Sequence, residues 1–230
     1  MNEMEHAFLK KCPKFFYINM DRSPERKEEM EKQFKSYKLS FERVQGVDGN
    51  QLKSWDERLS RYEQGCTLSH LKALETFYQS KEEIGIICED DITFEFLPIW
   101  KFPIRKVIEK APDDWEIIMI SYTVWPQNYK FLDKLYNSFI PIVHNSTCAY
   151  LINRKGAQNI LNKHSYSNPK LEEYTKIRPV ADVVLYDNAK TYVYRYCLFT
   201  YSDQNISTIH GNHNEFHIQS KNLAKIIFNN

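Results

Sequence analysis

At 230 residues, 42% hydrophobic and 27% charged, the chain has the size and composition of a globular protein with a substantial core. Its 31 basic and 30 acidic residues leave a formal charge of +1, which argues against the clustered basic excess of a dedicated nucleic-acid binder. No apolar run approaches the roughly 20 residues that span a bilayer. The five scattered cysteines, Cys12, Cys66, Cys88, Cys148 and Cys197, form no C-x-x-C pair, which disfavours a disulfide framework and a structural zinc site.

The polar, acidic stretch Met1–His6 has no apolar segment behind a basic one, so the chain reads as cytoplasmic. Phe15–Ile18 is a short unbroken apolar run, as expected of a buried central strand. After Asn19–Arg22, the signals Ser23, Pro24 and Glu25 start a helix whose buried face carries Met30 and Phe34 at i,i+4. Phe41–Val44 reads as a second strand ending in the turn Gly46-Val47-Asp48-Gly49, and Gly65–Tyr78 as a helix. Ile84–Cys88 has the strongest strand pattern and runs straight into Glu89-Asp90-Asp91. Val107–Lys110 closes a helix ahead of Pro112, and Trp115–Ile120 is a further strand. Cys148–Ile152 is a strand followed by a helix that Asn153 caps and that runs through Leu161. Val180–Tyr186 fits helix or strand, and Tyr192–Tyr201 reads as a strand. Lys221–Phe228 reads as a basic-apolar helix that packs on the domain or rests on a membrane surface. Asn145-Ser146-Thr147 and Asn205-Ile206-Ser207 match the N-glycosylation pattern and are read as chance matches. Alternating strands and helices predict a single α/β domain over residues 1–230 with a mostly parallel central sheet.

Ligands of open α/β sheets bind outside the carboxyl ends of the strands. Two polar clusters fall there, Asn19–Arg22 and Glu89–Asp91. With an extended backbone Glu89 and Asp91 project to the same side. Two converging carboxylates suit a hard divalent cation, Mg2+ or Mn2+, of the kind that bridges phosphate oxygens. By itself the triplet is equally an inert, solvated turn. Asn19, Asp21, Arg22 and Arg26 sit where a strand meets a helix N-terminus, a place suited to a nucleotide; Arg26 is as readily a solvated helix arginine. A lone helix histidine such as His70 more often packs than reacts. Cys66 has no evident base beside it and reads as a small buried residue.

Four segments, in order, resemble glycosyltransferase family 25, which includes lipooligosaccharide and collagen galactosyltransferases. Tyr17-Ile18-Asn19-Met20-Asp21-Arg22-Ser23-Pro24-Glu25-Arg26 is similar to the family's "INLDRRPDR" opening. Val44-Gln45-Gly46-Val47-Asp48-Gly49 resembles its "V-x-A-V-D-G", Gly65-Cys66-Thr67-Leu68-Ser69-His70-Leu71 its "GCALSHL", and Glu89-Asp90-Asp91 its acidic motif. The resemblance implies a glycosyltransferase-A-like, Rossmann-like fold, a UDP-sugar donor (usually UDP-galactose), Mn2+ or Mg2+, and inversion at the anomeric carbon. It leaves a glycan, glycolipid or protein hydroxyl as acceptor.

Carried over by position, the resemblance puts Glu89 or Asp90 near the ribose and Asp91, with Glu89, on the metal. Asn19, Asp21, Arg22, Arg26, Asp48, Ser69 and His70 then belong to the donor pocket. Pro179-Val180-Ala181-Asp182 is similar to the family's "PVD" with one residue inserted, which makes Asp182 the candidate base for the acceptor hydroxyl, with Asp203 behind it. A structural role for Asp182 is an equal reading. His210, in His210-Gly211-Asn212-His213, is the candidate third metal ligand, against a loose polar tail. Another carboxylate–metal phosphoryl or nucleotidyl transferase would need a Gly-rich or Walker-type phosphate loop, and the sequence has none. A non-catalytic nucleotide-sugar or glycan-binding protein on the same fold is the alternative from another class.

Overall fold

The unbroken apolar strands and the amphipathic helices form layers around one sheet. The computed structural model describes residues 3–53, 56–123, 125–141, 143–174, 176–202 and 214–229. Its first half contains α1 (Glu3–Leu9), β1 (Lys14–Asn19), α2 (Pro24–Ser36), β2 (Phe41–Gln45), α3 (Arg61–Ser80), β3 (Ile84–Glu89) and β4 (Ile92–Thr93). Then follow α4 (Ile104–Glu109), β5 (Ile117–Thr123), β6 (Tyr136–Ser138), β7 (Asn145–Asn153) and α5 (Arg154–Lys163). The last elements are α6 (Ala181–Tyr186), β8 (Thr191–Tyr194), β9 (Thr200–Tyr201) and α7 (Asn214–Asn229).

The main sheet has the order β2-β1-β3-β7-β5-β8-β6. β1 runs parallel to β2 and β3, and β5 parallel to β8. β7 is antiparallel to both its neighbours, and β6 to β8. Most strands therefore point one way, as expected, while β7 reverses in the middle. That reversal brings the start of β7 to the edge where β1 and β3 end.

β1 shows why the layers form. Alternate side chains point to opposite faces. Phe15 and Tyr17 meet Phe34 of α2 with ring centroids 4.9 and 5.6 Å apart, whereas Phe16 meets Phe77 of α3 at 5.6 Å. A strand covered by helices on both faces must be apolar throughout. α5 and α6 pack beside α3. α7 covers the sheet's surroundings elsewhere: Phe228 stacks on Tyr196 and meets Phe96 edge-on, and Lys221 and Lys225 both pair with Glu95. The Lys221–Phe228 segment thus packs on the protein. Among the described residues no helix is long and apolar enough to cross a membrane.

Several details differ from the sequence reading. α3 starts at Arg61 rather than Gly65 because Ser60 and Glu63 form a capping box. The Ser60 hydroxyl accepts from Glu63 N at 3.2 Å, and the Glu63 carboxylate accepts from Ser60 N at 2.7 Å. Ser23 stands at the N-cap of α2 without a side-chain capping bond, so Pro24 and the first-turn acid Glu25 mark that start. The single strand expected over Tyr192–Tyr201 is two. After Tyr194 the chain leaves the sheet, Leu198 N donates to Ile120 O at 2.7 Å, and β9 pairs with β4 instead. Leu198 and Phe199 are fully buried in this crossing, so their apolarity reflects burial and not strand pairing. Val180–Tyr186 resolves as helix, with Val180 the N-cap of α6. All five cysteines are free.

Candidate active site

Asn19, the last residue of β1, is 1% exposed and organises the edge of the sheet. Its Nδ2 donates to Asp90 Oδ2 at 2.7 Å and to Ser23 O at 3.1 Å, while its Oδ1 accepts from Arg43 Nε at 2.9 Å. Arg43 also donates to Asp21 Oδ1 at 2.6 Å, and Gln45 donates to the other Asp21 oxygen. In this structure Asn19 therefore holds Asp90, and Asp21 faces outward on Arg43, away from the cleft lining.

β3 ends at Glu89 and the backbone turns at Asp90 and Asp91, so the extended geometry does not continue through the triplet. The three carboxylates take different partners. Glu89 Oε1 accepts from Thr147 Oγ1 at 2.8 Å and faces His70 Nε2 at 3.5 Å. Asp90 Oδ1 meets Arg26 Nη2 at 3.1 Å, and the same nitrogen reaches Asp91 Oδ2 at 3.2 Å. Ser202 N donates to Asp91 O at 2.8 Å, which docks the turn against β9.

Burial dominates the electrostatics. It raises the Asp90 carboxyl, against the pull of Arg26 and Asn19. It pushes Asp91 up to about 7, helped by the charge of Glu89 and opposed by Arg26. Glu89 also feels burial, but His70, Thr147 and Arg26 outweigh it and leave its carboxyl below the ordinary value. The cluster thus sets three carboxylates against the one guanidinium of Arg26, an imbalance that a bound cation would relieve.

The opposite wall comes from α3 and the loop before it, held by close backbone contact. A Cβ on Gly65 would lie 2.9 Å from Val47 O and 3.0 Å from Gly49 N. Ser69 fastens the same loop: its hydroxyl accepts from Val47 N at 2.8 Å and donates to Gly65 O at 2.7 Å. Asp48 accepts from Asn50 N at 3.0 Å and pairs with Arg22 Nη1 at 2.7 Å. The Arg22 side chain is 41% exposed, so this pair is worth at most about 1 kcal/mol and can open to a ligand.

Between the walls lies a cleft open to solvent. Arg22 and Arg26 line one side, Tyr62, Cys66, Ser69 and His70 another, and Glu89–Asp91 the floor. The expected residues Arg22, Arg26, Ser69, His70, Glu89, Asp90 and Asp91 are thus brought together. Asp182 is not in this lining but lies close enough for Glu89 and His70 to act on its carboxyl, which burial raises. Ser146 N donates to Asp182 Oδ1. His210 and Asp203 fall outside the described residues.

The sequence reading missed the start of β7. Ser146 has φ 107°, a conformation that L residues rarely adopt. Its hydroxyl bonds the Tyr201 hydroxyl and accepts from Cys148 N, and its carbonyl accepts from Tyr186 Oη at 2.8 Å. With Thr147 on Glu89, this strained corner buttresses the acidic cluster. The only available signal was a polar Asn-Ser-Thr triplet ahead of an apolar strand.

A sheet covered on both faces, with three carboxylates and two arginines lining a cleft at its carboxyl edge, defines an α/β protein whose candidate site lies where open α/β sheets bind their ligands. The family model described as Glycosyltransferase family 25 (LPS biosynthesis protein) matches residues 12–175. The chain belongs to glycosyltransferase family 25. It is similar to Procollagen galactosyltransferase 2 of Mus musculus, 28% identical over 171 residues, 64% of this chain and 27% of that protein. It is also similar to Glycosyltransferase 25 family member of Aedes aegypti, 26% identical over 189 residues, 69% of this chain and 30% of that one. The matches span less than a third of the length of these relatives.

Proposed function

We propose that this chain transfers a hexose, with galactose the first candidate, from a UDP-sugar to a glycan, glycolipid or protein hydroxyl, with inversion and with Mn2+ or Mg2+. The observation that carries the reading is the cleft where Glu89, Asp90 and Asp91 lie beside Arg22 and Arg26 in a chain of this family. The mouse relative's name, Procollagen galactosyltransferase 2, supports galactose.

Each residue then has a task that its surroundings support. Arg22 and Arg26 pair with the diphosphate oxygens, Arg22 by opening from Asp48. Asp90, fixed by Asn19, takes the ribose. Asp182, with its raised carboxyl, accepts the proton of the acceptor hydroxyl. Asp91 and Glu89 are hard oxygen donors in a cluster short of positive charge, which fits Mn2+ or Mg2+. His210 is the candidate third ligand. When bound, the cation supplies charge that stabilises the departing diphosphate.

The test is binding and slow hydrolysis of a panel of nucleotide sugars, with and without Mn2+, on wild type and Asp91→Ala. Metal-dependent binding of a UDP-sugar that Asp91→Ala abolishes is expected. Failure of every nucleotide sugar under every metal condition would overturn the transferase reading and leave a binding protein on the same fold.

A further inference from the structure

Cys66 and His70 stand one turn apart on α3 and share a face, and that face looks onto Glu89 at the end of β3. One ligand atom from each, a sulfur, an imidazole nitrogen and a carboxylate oxygen, lie within 4.8 Å of one another. His70 is 1% exposed, and its Nδ1 meets the Tyr150 hydroxyl at 3.2 Å. An Nδ1–H donated to Tyr150 leaves the Nε2 lone pair directed at Glu89 Oε1, 3.5 Å away. Nε2 is buried and has no hydrogen-bond partner. Two lone-pair atoms facing each other in a buried site need positive charge between them, either a proton or a metal ion.

We propose that Cys66, His70 and Glu89 form a site for a thiophilic divalent cation of the zinc type. Mixed sulfur, nitrogen and oxygen donors select such an ion over Mg2+ or Mn2+. Metal–ligand bonds of about 2.0–2.3 Å put tetrahedral donors about 3.3–3.8 Å apart, which the His70–Glu89 separation of 3.5 Å already meets. Outer partners are in place: Tyr150 orients the imidazole, and Thr147 holds the Glu89 carboxylate at 2.8 Å. All three ligands line the cleft, which provides the entry path and a fourth coordination position for water. On binding, the Cys66 thiol proton leaves to solvent, and thiolate plus carboxylate balance the ion's two charges. Glu89 is common to this site and to the proposed hard-cation site, so the two ions are alternatives there.

Cobalt titration of the reduced full chain tests this without any donor substrate, so its outcome is independent of the transferase reading. A near-ultraviolet thiolate-to-cobalt charge-transfer band is expected, bleached by stoichiometric Zn2+. The band disappears in Cys66→Ala and persists in Cys197→Ser, whose thiol lies elsewhere on Tyr122 O. Thr147→Val, which removes an outer partner of the ligands and leaves all three ligands in place, weakens cobalt binding roughly tenfold or more. Absence of the band in wild type, or its survival in Cys66→Ala, overturns the proposal. If Cys66→Ala misfolds, the affinity of Thr147→Val decides, and cobalt affinity equal to that of wild type overturns the proposal.

Discussion

Asp91→Asn removes a charge that the fold holds at a cost, and the variant is expected to be more stable than wild type at neutral and higher pH. The Asp91 side chain is 16% exposed, and its carboxyl is pushed from 3.8 up to about 7, by burial first and by Glu89 second. An acid whose folded pKa is raised binds its proton more tightly folded than unfolded. Folding stability therefore falls as pH rises between about 3.8 and about 7, and is flat beyond. A shift of about three units sets a ceiling of about 4 kcal/mol. Because Glu89 supplies part of the shift, roughly 2 kcal/mol is assigned to Asp91 alone. Asparagine keeps the shape and cannot ionise, and Arg26 retains Asp90. Thermal unfolding of both proteins, from about pH 4 to about pH 8, measures the difference. The melting temperatures should coincide at the acid end and diverge by roughly 4–8 °C, in favour of the variant, at the other. A variant equally or less stable at pH 8, or a gap that ignores pH, refutes the reasoning. Mn2+ should raise the melting temperature of wild type and leave Asp91→Asn unmoved.

Arg26→Gln leaves Asp90 and Asp91 without their shared cation, whose own side chain is only 14% exposed. Urea unfolding at neutral pH should show a loss of about 3 kcal/mol, and a loss under about 1 kcal/mol would mean that solvent already screens the pair. Gly65→Ala forces α3 away from Val47 and Gly49. It should cost about 1–3 kcal/mol by thermal unfolding and weaken nucleotide-sugar binding, and an unchanged melting temperature would contradict the close approach. Ser60→Ala removes the capping box at the N-terminal start of the same helix. It should cost about 1 kcal/mol while calorimetric titration shows donor binding unchanged.

The fold was legible wherever burial and local structure agree. Phe15–Ile18 and Ile84–Cys88 are covered on both faces, so their sequences are apolar at every position, and no helix of that length competes. The Pro24 and Asn153 starts were legible because capping is local chemistry: Asn153 Oδ1 accepts from Gly156 N at 2.9 Å within its own turn. Tyr192–Tyr201 misled because burial and pairing separate there. Its middle is buried by a crossing over Ile120, and apolarity cannot distinguish a strand from a buried crossing.

The site was legible in part for the same reason. Glu89-Asp90-Asp91 stands out because carboxylates that follow a buried strand need compensation, and Arg26, two residues into α2, is near enough to the strand end to provide it. What compensates Glu89 was not legible. Thr147 belongs to a strand whose direction no local pattern encodes; had β7 run parallel to β3, its polar start would lie at the opposite edge of the sheet. Reversal of that one strand turns an apparently accidental Asn-Ser-Thr triplet into the wall behind the acidic cluster, and it accounts for the strained Ser146. The backbone there spends conformational energy to aim its N–H at Asp182 and its hydroxyl at Tyr201 while the next residue reaches Glu89. The strained corner satisfies two separate carboxylates at once, Asp182 and Glu89. Under the proposed function these are the carboxylates that hold the donor's cation and take the acceptor's proton.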